Sequence, residues 1–102
     1  MREQQKRAEE FAEENDLDVP APFRLLDLVS ELGEIAKDAT KTAEYGEKPE
    51  QLDVKHDEIG DLLFSLFTLC NSLDIDAQEA FDEAMRKYES RVEDTGTPGS
   101  GS

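Results

Sequence analysis

Cysteine and histidine occur once each in the 102 residues, as Cys70 and His56. A single cysteine excludes an internal disulfide. Its apolar surroundings, with no cation near it in sequence to lower its pKa, mark it as a buried structural thiol rather than a nucleophile. Basic residues are also scarce, with 11 Lys and Arg against 26 Asp and Glu and a formal charge of -15. Phosphates are repelled over most of such a surface, which argues against nucleic acids and anionic membranes as partners. Long apolar runs are missing too. The longest, residues 62–70, is interrupted by Ser65 and Thr68 and is too short to span a bilayer. Residues 1–5 hold no apolar signal core, so a cytoplasmic location is expected. No stretch alternates apolar and polar residues as a half-buried strand does, and the expected class is all-α.

What is present is helical periodicity. A chain of this length makes one small domain, expected over residues 1–93, with a core modest enough that burial against a partner subunit is expected. Because the apolar residues are well patterned, the acidic balance reads as adaptation to high salt rather than disorder. The first helix is expected over residues 2–15. The second spans residues 22–45, with Pro22 as its first residue and Gly46 as its stop. The third spans residues 50–73. The fourth opens at Asp76, which forms a capping box with Glu79 while Ile75 staples onto Ala80, and ends near Val92. Residues 94–102 hold no apolar anchor and are expected to be disordered.

The second and third helices carry the functional argument. On the second, Asp27, Glu31, Glu34 and Asp38 stack beside a broad apolar face. The third is apolar over most of its circumference, as suits the middle of a bundle, and its one polar seam is Glu58, Asp61, Ser65, Thr68 and Ser72. Carboxylate pairs three residues apart are common in so acidic a chain, and most are solvated surface. Glu31-Leu32-Gly33-Glu34 and Glu58-Ile59-Gly60-Asp61 differ in sharing one form and in lying within the most apolar segments. A glycine inside a helix costs about 1 kcal/mol relative to alanine, so the matched Gly33 and Gly60 suggest a close approach of the two helices there. That approach brings four carboxylates into one enclosed polar groove, where protons or a divalent cation must relieve their repulsion. An all-oxygen donor set suits Mg²⁺, Mn²⁺ or Ca²⁺. Di-iron bundles add Glu-x-x-His motifs, and the lone His56 reads as an exposed helix residue.

Glu31-x-x-Glu34 followed about two dozen residues later by Glu58-x-x-Asp61 resembles the signature of the MazG-like all-α nucleoside triphosphate pyrophosphohydrolases. Residues 28–36 and 57–64 are similar to that family's two core helices, and the likeness extends over residues 22–92. The resemblance implies a four-helix MazG-like bundle completed by oligomerisation, as a dimer or tetramer. It implies Mg²⁺-dependent cleavage of a (d)NTP to (d)NMP and pyrophosphate, with Mn²⁺ as a possible substitute. It also implies Glu31, Glu34, Glu58 and Asp61 as metal ligands, with Glu34 and Glu58 as catalytic carboxylates. Glu34 is the candidate to take the attacking water's proton, although sequence does not rank it above Glu31. Where some relatives carry Lys and Asn in the last helix, this chain has Ala84 and Tyr88, so phosphate contacts fall to Lys55, Lys87 and Arg91, or to Arg86. Phe11 and Phe23 are the aromatic candidates for base contact. Three other readings stay open. One is a phosphoribosyl-ATP pyrophosphohydrolase, another a non-catalytic metal-binding helical oligomer, and the third a ferritin-like redox site that would need His56 as a ligand.

Overall fold

The computed structural model describes residues 1–99, and among them there are helices and no strand. The elements are α1 (Arg2–Glu14), α2 (Ala21–Thr42), a 3-10 turn (Pro49–Gln51), α3 (His56–Ser72) and α4 (Ala77–Thr95). The all-α class is as expected, and no described helix is long and apolar enough to cross a membrane.

Helix α2 accommodates Pro22 in its first turn, where the missing N–H costs no hydrogen bond. It stops at Thr42, three residues short of the expected Tyr45, because Glu44 and Tyr45 turn left-handed (φ 51° and 57°) ahead of Gly46 (φ 93°). The third helix also starts later than expected, at His56 rather than residue 50. The Asp53 backbone N–H donates to Thr42 Oγ1 at 2.8 Å, which ties the incoming chain to the end of α2. Residues 52–55 therefore stay outside the helix. Helix α4 begins as read: Asp76 Oδ1 accepts from the N–H groups of Gln78 (2.9 Å) and Glu79 (3.3 Å). It runs past Val92 to Thr95 and closes on Gly96 at φ 79°, a left-handed cap. Asp94 and Thr95, expected in a disordered tail, are thus helical; residues 100–102 of that expected tail lie outside the described residues.

Helix α3 is central, with α2 packed along one side and α1 along another, while α4 leans on α1. A polar clasp holds the α1 end. Gln5 Nε2 donates to Asn71 Oδ1 (2.9 Å) and to the Ile75 carbonyl (2.7 Å), and Gln5 Oε1 accepts from the Ala77 N–H (2.8 Å). The Asn71 amide donates back to the Gln5 carbonyl at 3.2 Å. Beside it Arg2 Nε pairs with Asp76 Oδ2 at 2.8 Å. One glutamine thereby fastens α1 to α3 and supplies an acceptor for the first turn of α4.

The core is thin. Its buried apolar residues are Ala8, Ala12, Ile35, Ala39, Ala43, Phe67 and Ala77, and among the described residues no side chain is fully sealed from solvent. Three uncharged stripes with helical spacing remain open instead. They are Leu25, Val29 and Leu32 on α2, Ile59, Leu63, Leu66 and Leu73 on α3, and Phe81, Met85, Tyr88 and Val92 on α4. Each of these residues is between 38 and 63% exposed. The surface of 7703 Å² exceeds the about 5,800 Å² of a compact monomer of this mass. The radius of gyration, 16.8 Å, likewise exceeds the roughly 13 Å expected.

The glycine reading needs correcting. A Cβ built on Gly33 or Gly60 meets nothing within 4 Å, so neither glycine marks a close approach of α2 and α3. Gly60 instead lines an apolar groove between α3 and α1, with Phe11, Leu63, Phe64 and Phe67.

Candidate functional site

Two rows of polar side chains can be traced on the packed helices α2 and α3. On α2 the row runs through Arg24, Glu31 and Glu34, beside Ile35 and Ala39, which are buried. On α3 it runs through Glu58, Asp61, Ser65, Thr68 and Ser72. Arg24 from the first row and Thr68 and Ser72 from the second line a common cavity, so both rows open onto the same side of the helix pair. Thr68 is buried; its hydroxyl donates to the Ser65 carbonyl, and the Ser72 hydroxyl donates to the Thr68 carbonyl, both at 2.9 Å. The α3 seam therefore satisfies its own hydroxyls along the helix.

Among the four singled-out carboxylates, Glu31 and Glu58 are half-buried, while Glu34 and Asp61 are exposed. The enclosed polar groove expected from sequence is therefore not seen at Glu34 and Asp61. A divalent cation asks for hard oxygen donors, and these four side chains offer only such donors from two directly packed helices. They fit in type and in side. They are not gathered as they stand: among the described residues no three His, Cys, Asp or Glu side chains come together closely enough to hold one ion.

The cations divide. Lys55 is exposed at the N-cap of α3, one turn before Glu58. Lys87 lies over the Tyr88 ring at 5.3 Å, and Arg91 donates to the Pro98 carbonyl at 3.3 Å. Both sit on α4, which packs on α1, so a single chain does not bring them to the α2–α3 carboxylates. His56 is exposed at the first position of α3. Phe23 points outward, and Phe11 packs edge-on against Phe64 with centroids 6.0 Å apart, in the groove on the α1 side. Cys70, expected to be buried, is half-buried, and that burial pushes its thiol up.

Sequence reasoning missed the Gln5 clasp and the cavity at Arg24. The second had a signal: Arg24 is the one cation in α2 before Lys37 and stands among apolar residues.

The profile of the MazG nucleotide pyrophosphohydrolase domain matches residues 22–95, which takes in α2, α3 and α4. The chain belongs to this family. The chain is 46% identical over 74 residues to the uncharacterized protein YpjD of Bacillus subtilis (strain 168). That alignment covers 69% of this chain and 65% of the relative, so the chain spans somewhat less than two thirds of YpjD. A crystal structure of Bacillus subtilis YPJD, described as a candidate pyrophosphatase, superposes with a TM-score of 0.73 and 35% identity. It covers 89% of this chain and 94% of that one. The MazG profile leaves out α1, the helix that the Gln5 clasp fastens to the matched segment.

Proposed function

We propose that this MazG domain is a Mg²⁺-dependent nucleotide pyrophosphohydrolase that cleaves a (d)NTP to (d)NMP and pyrophosphate. The supporting observation is that Glu31 and Glu34 on α2 and Glu58 and Asp61 on α3 lie on two directly packed helices inside the matched segment, with Glu31 and Glu58 half-buried. Glu31, Glu34, Glu58 and Asp61 would hold the metal, with Mn²⁺ able to replace Mg²⁺. A divalent cation bound there neutralises the phosphate chain and lowers the pKa of a bound water. The chain's own residues do the rest. Glu31 and Glu58, half-buried against neighbouring turns, are the less mobile pair and orient the site. Glu34, free in solvent, accepts the proton of the water whose oxygen attacks phosphorus as the bond between the α- and β-phosphates breaks. Lys55 is the cation nearest Glu58 along α3 and contacts the phosphate chain.

Pyrophosphate release from a panel of nucleotides with Mg²⁺ tests this reading, and Asp61→Asn is expected to lower turnover by orders of magnitude at unchanged helicity. Glu58→Gln separates an enzyme from a metal-bound scaffold. Lost turnover with the fold intact supports the enzyme, whereas a gain in metal-free stability with no detectable activity supports the scaffold.

The working unit is a homo-oligomer. A second copy seated on the uncharged α2–α3 face would cover Leu25, Val29, Leu32, Ile59 and Leu66 on the side away from the carboxylates. The excess surface, about 1,900 Å² per chain, is the amount an obligate dimer buries. Assembly could also carry Lys87 and Arg91, which a single chain holds away from the carboxylates, toward a neighbour's site.

A further inference from the structure

Where the start of α2 meets the end of α3, beside α1, lies a cavity of about 160 Å³. Arg24 precedes Glu31 by seven residues on α2, and Thr68 follows Asp61 by seven on α3. Seven residues is close to two full turns, so each keeps the face of its carboxylate and lies about 10.5 Å further along. The two helices are antiparallel: Thr42 meets Asp53 at one end, and Arg24 shares the cavity with Ser72 at the other. Both displacements therefore run in the same direction and end in the same hollow. Its distance from the carboxylates is comparable with the reach of a nucleotide from its phosphates to its base.

We propose that this cavity receives the base of the substrate and prefers bases with an exocyclic amino group over uracil and thymine. The proposal rests on the phosphates lying at Glu31, Glu34, Glu58 and Asp61. The wall is rich in acceptors. Asp18 enters from the α1–α2 loop and Glu13 from α1, both carboxylates that only accept. The hydroxyls of Thr68 and Ser72 spend their protons on helix carbonyls, which leaves them only acceptor capacity for a guest. Arg24 is the sole cation in the lining; it donates to the Leu17 carbonyl and has further N–H groups for one base oxygen or ring nitrogen. Such a wall demands N–H donors from its guest. Cytosine, adenine and guanine provide an amino group, as carboxylates recognise on the cytosine amino edge. Uracil and thymine present carbonyl oxygens there, which carboxylates repel and which leave acceptors unpaired. No aromatic side chain lines the cavity, and Phe11 lies in the separate groove on the α1 side of α3.

The test compares CMP with UMP, and CTP with UTP, on the full chain with Mg²⁺. Calorimetry is expected to show CMP bound about tenfold or more tighter than UMP, the worth of one hydrogen bond to a charged group. Asp18→Asn, an exposed loop change, is expected to narrow that ratio by raising Kd for CMP and KM for CTP while kcat stays within about twofold. Ser72→Leu, at the exposed rim, is expected to weaken all bases together by filling the space. Equal affinity of the wild type for CMP and UMP, or Asp18→Asn acting alike on both, would overturn the proposal. Absence of pyrophosphate release from every nucleotide would instead defeat the enzymatic reading, and the monophosphate titration would still report on the cavity.

Discussion

Gln5 shows how much one side chain can do without leaving a trace in the sequence. Its amide satisfies Asn71, the Ile75 carbonyl and the Ala77 N–H, partners 66 to 72 positions away. Helical spacing reports which face a residue occupies but not which distant groups that face meets, so nothing in the sequence singles out Gln5. Gln5→Ala removes three hydrogen bonds and leaves part-buried partners behind, and should cost about 2 kcal/mol in a denaturation experiment. By contrast, the Asp76 cap was legible, because its partners lie two and three residues on. The four carboxylates could be picked out by their type and spacing. Their half-buried or exposed state could not, since that depends on how α2 and α3 are rotated against each other.

At the scale of the element, boundaries moved where tertiary contacts overrode local pattern. The bond from Asp53 to Thr42 shortens the third helix, and Gly96 lengthens the fourth. The glycine argument failed for a related reason. Gly33 and Gly60 recur at matching motif positions, yet the faces that carry them turn away from the α2–α3 contact. The start of α4 makes a pH prediction. The hydrogen bond from Arg2, with those from the Glu79 and Gln78 backbone, holds the Asp76 carboxyl below its usual range. A depressed folded pKa gives stability that is present above the unfolded value of about 3.9 and is lost as pH falls through the folded value. Amide exchange at Gln78 and Glu79 should therefore accelerate as pH drops below about 4, after correction for intrinsic rates. Protection that stays constant down to that range and below would show that the carboxylate does not hold the turn.

Across the whole molecule, a thin alanine-rich core, 7703 Å² of surface and three open apolar stripes are the observations behind the proposed homo-oligomer. Helical periodicity displayed those stripes, but sequence alone could not show that they stay uncovered within one chain. Light scattering should find a dimer or larger species. Leu32→Asp, which puts a charge on the α2 stripe, should dissociate it and lower the melting temperature; a wild type that is monomeric and equally stable would contradict this. The net charge of -15 repels itself within each subunit and between subunits, so raised salt should increase both melting temperature and assembly. A sharp, stable fold in dilute buffer would count against adaptation to salt.

Hydrolysis by the paired acids of two neighbouring helices is tested most directly by Mg²⁺-dependent pyrophosphate release from the wild type and Asp61→Asn side by side. The account predicts release by the wild type and a loss of orders of magnitude in the mutant, with matching circular dichroism. Equal rates, or no release from any nucleotide by the wild type, would contradict it.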